Sequence, residues 1–302
     1  MFIADAHADT LSALYFEKVP MNELMTAKQK LMDGGVKLQT FALFAASKNY
    51  PNTPYENAKI LVEESHKLDI PFYTGKLPEN PPETIHGIYS IEGGEVLEGK
   101  IERLYEFHNP LRLRMIALTW NYENEIGYPA KNFNECGLKP FGFELLKEMD
   151  KLGIYADVSH LSERGFWDVY ENMTLPLIAS HSNCKELCDS LRNLTRDQIK
   201  AVIEKDGYIG MNFYPNFLVK GGENTCLDDV IRHIDYIAEM GGIGVLGLGS
   251  DFDGIEKQPK GLEDASKMKD IAEALAKRGY KQDEIDAIMG LNLWRKLKKA
   301  EK

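Results

Sequence analysis

Short apolar runs alternate with longer amphipathic stretches along this chain. The runs fall at 2–4, 36–46, 87–91, 113–118, 153–158, 175–179, 207–213 and 243–248, and helix-like stretches such as 54–68, 141–152, 196–205, 227–240 and 265–278 lie between them. Thr53 before Pro54, Ser162 before Glu163 and Thr195 before Arg196-Asp197-Gln198 read as helix starts. Gly153, Gly207 and Gly241 stand where helices should stop before the next strand. Strand then helix, about eight times over, predicts a parallel sheet closed as a TIM-like (β/α)8 barrel, with 1–302 as a single domain. A doubly wound α/β sheet is the alternative, and the lack of a Gly-x-Gly-x-x-Gly after the first run weakens its dinucleotide-binding form. Stretches 47–53, 78–82 and 121–134 read as loops, the last long enough to shape a pocket.

Composition narrows the function. The 302 residues are 43% hydrophobic and 27% charged, enough for a full core. A net charge of -11 argues against nucleic acid as a partner, since phosphate binding wants a basic face. The Lys-rich tail 295–302 reads as a solvated helix end. No basic, then apolar, leader opens the sequence and no apolar stretch approaches membrane-spanning length, so the expectation is a cytoplasmic protein with no membrane partner. Four cysteines in a chain this long make no disulfide framework. Cys184 and Cys188, just after His181, invite a zinc reading, but without a second pair ordinary reduced thiols fit better.

The chemistry collects at strand ends, where barrel enzymes build their sites. The first run leads into Asp5-Ala6-His7-Ala8-Asp9; continued strand alternation would put His7 and Asp9 on one face. The third run ends in Glu92-Gly93-Gly94, the fifth in Asp157-Val158-Ser159-His160, the sixth in Ser180-His181-Ser182 and the eighth in Ser250-Asp251-Phe252-Asp253. Three of the seven histidines thus stand at strand ends, while His66, His86, His108 and His233 fall in helix-like or connecting segments. One such histidine is usually structural. Three, joined by three carboxylates in one ring of loops, make a metal site. Six ligands exceed one catalytic zinc, so two metals sharing a bridging carboxylate fit better. Asp9, Glu92 and Asp251 return three of the four positive charges, and the remainder would favour a bound hydroxide. Zinc, manganese and cobalt stay open, with histidine-rich ligation leaning to zinc.

These residues carry a resemblance. The chain resembles the membrane (renal) dipeptidase family of zinc metallopeptidases from residue 2 to about 297. The matching motifs are Asp5-Ala6-His7-Ala8-Asp9-Thr10, Ile91-Glu92-Gly93-Gly94, 137–142 with the downstream Asp157-Val158-Ser159-His160, and Ser180-His181-Ser182. Leu191-Arg192-Asn193, Met211-Asn212-Phe213-Tyr214, 249–254, Gly261-Leu262-Glu263-Asp264 and Asn292-Leu293-Trp294-Arg295 follow in order. The resemblance implies a barrel of the metallo-dependent hydrolase type with two Zn2+ per chain. By it, His7, Asp9 and Asp251 serve one ion, His160 and His181 the other, and Glu92 bridges. A metal-bridging hydroxide would attack the peptide bond of a dipeptide, with Asp251 shuttling the proton to the leaving amine. Arg192 matches the residue that engages the substrate's C-terminal carboxylate, a role its fork of donors suits. Tyr214 is a second candidate substrate contact.

One position departs from the family pattern. Several animal relatives carry a Leu-Thr-His segment whose histidine helps stabilise the oxyanion; here it reads Leu118-Thr119-Trp120. Trp120 has one indole donor and no acid or ligand chemistry, so it is either a substrate contact or a packing aromatic. Relatives of bacterial type accept dipeptides with a C-terminal D-residue, and a homodimer is expected from the resemblance alone. The alternative enzyme is a related amidohydrolase acting on another small amide, disfavoured by Glu92 where many such enzymes use a modified lysine. A non-catalytic barrel is disfavoured because no proposed ligand position is lost.

Overall fold

The computed structural model describes residues 1–45, 48, 50–131 and 134–301. Eight parallel strands close into a barrel in sequence order: β1 (Ile3–Asp5), β2 (Val36–Phe44), β3 (His86–Glu92), β4 (Met115–Ala117), β5 (Tyr155–Asp157), β6 (Ile178–Ala179), β7 (Tyr208–Met211) and β8 (Leu246–Leu248). The pair Asp5↔Leu248 closes the ring, and β2 with β3 forms its longest ladder, from Leu38↔His86 to Phe44↔Glu92. Every predicted run overlaps one strand, so the (β/α)8 expectation holds and the doubly wound alternative falls. Position 46 of the second run lies outside the described residues, as do 47, 49, 132 and 133 of the predicted loops.

Twelve helices run α1 (Thr10–Tyr15), α2 (Lys28–Asp33), α3 (Pro54–Ser65), α4 (Ile101–Leu111), α5 (Pro140–Leu152), α6 (Glu163–Asn172), α7 (Arg196–Glu204), α8 (Pro215–Leu218), α9 (Leu227–Glu239), α10 (Met268–Arg278), α11 (Gln282–Asp286) and α12 (Asn292–Lys299) among the described residues. Thr53 and Glu56 form a reciprocal capping box on α3, as Thr195 and Gln198 do on α7, and Ser162 Oγ accepts from Gly165 N on α6. Gly153 ends α5 in the left-handed conformation. After α7 that turn is taken by Asp206 (φ 55°), one residue before the glycine expected to make it. None of the described helices is long and apolar enough to cross a membrane.

Two apolar layers hold the barrel. A large cluster joins the outer strand faces to the helices. A smaller one fills the lower interior with Leu38, Ile88, Met115, Tyr155, Ile178 and Tyr208, closed from below by Leu293, Trp294 and Leu297 of α12. The C-terminal tail is therefore not a solvated helix end. Tyr155 Oη donates to the Lys296 carbonyl at 2.6 Å, and buried Lys296 pairs with Asp206. Its lysines reach polar partners while the stems cover the barrel floor. Above the apolar layer the interior turns polar: strand alternation carries Ile88 to Ser90 and Glu92, Tyr155 to Asp157, and Ile178 to Ser180.

At that level β6, β7 and β8 converge too closely for side chains. A Cβ on Gly210 would lie 2.0 Å from the Ser180 carbonyl oxygen, and one on Gly249 only 1.8 Å from it. Gly249→Ala is expected to cost ~2 kcal/mol or more, the overpacking range. Urea unfolding should show a lower midpoint with an unchanged slope; an unchanged midpoint would contradict the close approach.

Candidate metal centre

The six proposed ligands meet at the C-terminal mouth of the barrel, but not all by strand alternation. β1 stops at Asp5, and His7 and Asp9 lie beyond it, with Asp9 at the start of α1. What aligns them is a clamp. Asp5 Oδ1 accepts from Ser250 N at 2.8 Å and Oδ2 from Ser250 Oγ at 2.6 Å and Gln39 Nε2 at 2.9 Å. Asp251 N then donates to the His7 carbonyl at 3.2 Å and Asp9 N to that of Phe252 at 2.9 Å. Asp5 ties the β1 exit to the β8 exit and meets His7 through its backbone N–H at 3.4 Å. Glu92 is the last residue of β3, buried and facing inward. His160 (φ 68°) and Asp251 (φ 63°) take left-handed backbone where the chain turns sharply after β5 and β8. Ala130 N fixes the first turn by donating to the His160 carbonyl at 2.8 Å.

Glu92 stands at the centre. Its Oε2 lies 3.3 Å from His7 Nε2, while Oε1 lies 3.0 Å from His160 Nε2 and 3.5 Å from His181 Nε2. His7 Nε2 is also 3.6 Å from Asp9 Oδ2 and 3.8 Å from Asp251 Oδ1. One carboxylate thus presents one oxygen to each of two donor sets. His7 Nε2, Asp9 Oδ1 and Glu92 Oε2 are buried without a hydrogen-bond partner, and the Nε2 atoms of His160 and His181 face each other at 3.1 Å. Buried lone pairs aimed at one another are unfavourable unless a cation lies among them, so the donor set fits divalent metal.

The outer ring nitrogens keep those lone pairs turned inward. His160 Nδ1 donates to Asn121 Oδ1 at 3.1 Å. His181 Nδ1 donates to Ser180 Oγ at 2.7 Å, and Ser180 in turn donates to Asp157 Oδ2. Asp157 Oδ1 accepts from Ser159 N at 2.9 Å and Ser180 N at 3.0 Å. Both imidazoles are thereby held with the inward Nε2 free to ligate. Asn121, Asp157 and Ser180 were not singled out from sequence as site residues; the signal was their adjacency to the predicted Trp120, strand end and His181, respectively. Asn212 Nδ2 adds a bond to Asp251 Oδ2 at 2.9 Å.

Left to protons alone, the cluster is strongly perturbed. Burial and the neighbouring Asp9 push Glu92 up to about 8, and burial raises Asp251 as well. Burial works against charging His7, but Glu92 and Asp9 outweigh it and hold that imidazole well above its usual range. Burial, with Arg192 and His7 nearby, keeps His160 and His181 well below theirs. Three carboxylates in one buried pocket are asking for positive charge.

The proposed substrate residues surround this cluster. Arg192 leaves Nε and Nη2 buried without a partner; its burial lowers it to about 10 against the pull of Asp251 and Glu92, and its guanidinium lies 5.5 Å from the Phe217 ring centroid. Tyr214 precedes α8 and meets Phe217 edge-on at 4.9 Å, its hydroxyl accepting from Asn216 Nδ2 at 2.8 Å. Half-buried Trp120 packs on Phe44 at 4.9 Å and Tyr122 at 5.2 Å and also lines the cavity, so it is a packing aromatic with a face left open. The cavity holds about 680 Å³ and is lined by Asp9, Glu92, His160 and Asp251 together with Trp120 and Tyr214. Cys184 and Cys188 lie elsewhere: the Cys184 thiol donates to the His233 carbonyl and that of Cys188 to the Asn216 carbonyl, so the zinc reading of that pair fails.

Comparison with known proteins agrees with this architecture. The model of the membrane dipeptidase family (peptidase family M19) matches residues 1–302. An uncharacterized dipeptidase of Schizosaccharomyces pombe is 35% identical over 217 residues, 70% of this chain and 52% of that protein, so the match spans about half of its length. An uncharacterized Klebsiella pneumoniae protein from the pqqA 5′ region is 36% identical over 217 residues, 69% of this chain and 79% of the other. A Rhodobacter sphaeroides metallopeptidase, solved with a phosphinate mimic of L-Ala-D-Ala, superposes with a TM-score of 0.87 at 24% identity over 99% of both chains, which shows the shared fold.

Two predictions follow from the hydrogen bonds and the charges. Ser180→Ala and Asp157→Asn should each weaken retention of bound metal by about 10–100-fold, measured by chelator competition, with the circular dichroism spectrum unchanged. Unaltered retention in both would refute the relay to His181. In metal-stripped protein, the Glu92–His7 pair holds more protons near pH 7 than the same two groups do in the unfolded chain. The folded state therefore binds more protons, and its stability falls as pH rises from 7 to 8. Divalent cations take the place of those protons, so the melting-temperature gain on adding metal should grow across that window. A gain that shrinks would contradict the charge arrangement.

Proposed function

The chain belongs to the membrane dipeptidase family, and from that premise we propose that it is a zinc-dependent dipeptidase carrying two Zn2+ per chain. The observation that carries the reading is the division of Glu92, one oxygen toward His7 and the other toward His160 and His181. His7, Asp9 and Asp251 would hold one ion, His160 and His181 the other, with Glu92 bridging. Zinc bound there supplies a Lewis acid for the peptide carbonyl and lowers the pKa of water at the site.

The remaining work belongs to side chains. Arg192 binds the C-terminal carboxylate through Nε and Nη2, the two atoms that lack a protein partner. That contact fixes the direction of the substrate and disfavours longer peptides, whose chain continues where the carboxylate would be. In hydrolysis the water oxygen joins the carbonyl carbon and the C–N bond breaks. Asp251 holds the proton released by the water at Oδ1, the oxygen not engaged by Asn212, and passes it to the leaving nitrogen. Trp120 covers the cavity beside His160, their ring centroids 6.3 Å apart, and keeps water out of that side, while Tyr214 borders the carboxylate end. Tolerance of a C-terminal D-residue, a single 1–302 domain and a homodimer belong to the same reading through the family resemblance. The proposed location is cytoplasmic, which the four free cysteines fit.

Hydrolysis of L-Ala-L-Ala and L-Ala-D-Ala, assayed with zinc and with a chelator, tests this. Turnover should vanish with chelator and return with zinc. Arg192→Ala should raise KM for the free dipeptides by roughly tenfold more than for C-terminally amidated ones. Equal losses on both would refute the carboxylate contact; failure to cleave any dipeptide would move the reading to an amidohydrolase acting on another small amide.

A further inference from the structure

The cavity has two chemically different ends. At one, Phe217 meets Tyr214, and behind them the Arg192 guanidinium lies 5.5 Å from the Phe217 ring centroid. Arg192 follows β6, which stands opposite β2 in the closed ring of eight strands. At the other end Phe44, the last residue of β2, meets Tyr50, and Tyr50 stacks on Phe16 with Glu17 beside it. A dipeptide anchored by its carboxylate at Arg192 and crossing the Glu92 cluster therefore ends with its amino-terminal residue toward Phe16, Glu17 and Tyr50.

That end is walled by rings. Phe16 stacks on Tyr50 with centroids 3.7 Å apart and planes 14° from parallel. Tyr50 meets Phe44 at 6.0 Å and 70°, and Phe44 meets Trp120 at 4.9 Å and 52°. All four rings line the cavity and are only partly buried, so each keeps a face or edge open to an occupant. At about 680 Å³ the cavity is within the range of roughly 300–1,000 Å³ that holds drug-sized ligands, leaving room beyond two alanine side chains. Glu17, exposed beside Phe16, offers a carboxylate to the free ammonium.

Resting on the dipeptidase reading, we propose that Phe16, Phe44 and Tyr50 form the subsite for the substrate's N-terminal side chain and select a large apolar or aromatic residue there. Rings that stay half-exposed gain contact when an apolar side chain displaces water between them, and aromatic partners add edge and face geometry.

The test compares kcat/KM of the zinc-loaded protein for L-Phe-L-Ala, L-Ala-L-Ala, L-Ala-L-Phe and L-Lys-L-Ala. Phe-Ala should exceed Ala-Ala by about tenfold or more, and by more than Ala-Phe does. In Phe16→Ala, and separately in Tyr50→Ala, the Phe-Ala to Ala-Ala ratio should fall severalfold toward one. A ratio read on one preparation is independent of how much protein is folded or loaded. Equal rates on Phe-Ala and Ala-Ala, a ratio unmoved in both variants, or a preference for Lys-Ala over Phe-Ala would each overturn the subsite while leaving the dipeptidase reading intact. No turnover of any of the four would overturn that reading, and the subsite with it.

Discussion

Three carboxylates share one buried pocket at the mouth of this barrel, and their mutual repulsion is the constraint that the surrounding structure answers. Asp9, Glu92 and Asp251 all lie within 4 Å of a single atom, His7 Nε2, at 3.6, 3.3 and 3.8 Å. A fold left to minimise its own energy would separate them or pair each with a basic side chain. This one instead binds them into position with neutral donors. Asn212 bonds Asp251, and the Asp5–Ser250–Gln39 clamp fixes the β1 and β8 exits that carry His7, Asp9 and Asp251. Arg192, the cation nearest the cluster, keeps two donors unspent. The charge deficit is left for ligands to fill, which is how a binding site differs from a satisfied core.

The backbone is arranged to the same end. His160, Asp251 and Asp253 all take left-handed conformations around the mouth, of a kind that costs roughly 1 kcal/mol or more where no glycine relieves it. Asp253 shows what holds such a turn. Its carboxylate accepts from Met25 N at 2.6 Å, Thr10 Oγ1 at 2.9 Å and Thr26 Oγ1 at 2.9 Å, tying the β8 exit to the segment between α1 and α2. The apolar floor of the barrel, sealed by α12, supplies the rigidity against which these turns are set.

Residue type and order made much of this readable before any coordinates. Eight apolar runs gave the strands their places, and imidazoles and carboxylates just past strand ends pointed to the six side chains that meet at the barrel mouth. What could not be read was anything that depends on which strands are neighbours. Asp157 reaches His181 only because β5 pairs with β6 through Asp157↔Ile178, which sets Ser180 between them. The Lys-rich tail looked solvated because a run of lysines says nothing of the barrel floor waiting under their stems; Asp206, the partner of Lys296, is 90 residues away in sequence. His7 and Asp9 were paired by a rule of strand alternation that stops applying at Asp5; they meet because two backbone ladders from β8 continue past the strand.

Trp120 shows how the constraint at the centre reaches the choice of substrate. A histidine in its place would add a titratable donor beside His160, in a pocket where burial already disfavours protonated imidazole. The indole adds no charge and no titratable donor, which leaves the side chain free for packing and contact. It continues the row of rings from Phe16 through Tyr50 and Phe44 to the edge of the ligand cluster. One side of the cavity is thereby walled by rings from its outer end to its reactive centre, with the Glu17 carboxylate beside Phe16 at the outer end. On the proposed reading, binding energy along such a wall would be gathered by the N-terminal half of a dipeptide, and a carboxylate held by Arg192 would set where along it the peptide bond comes to rest.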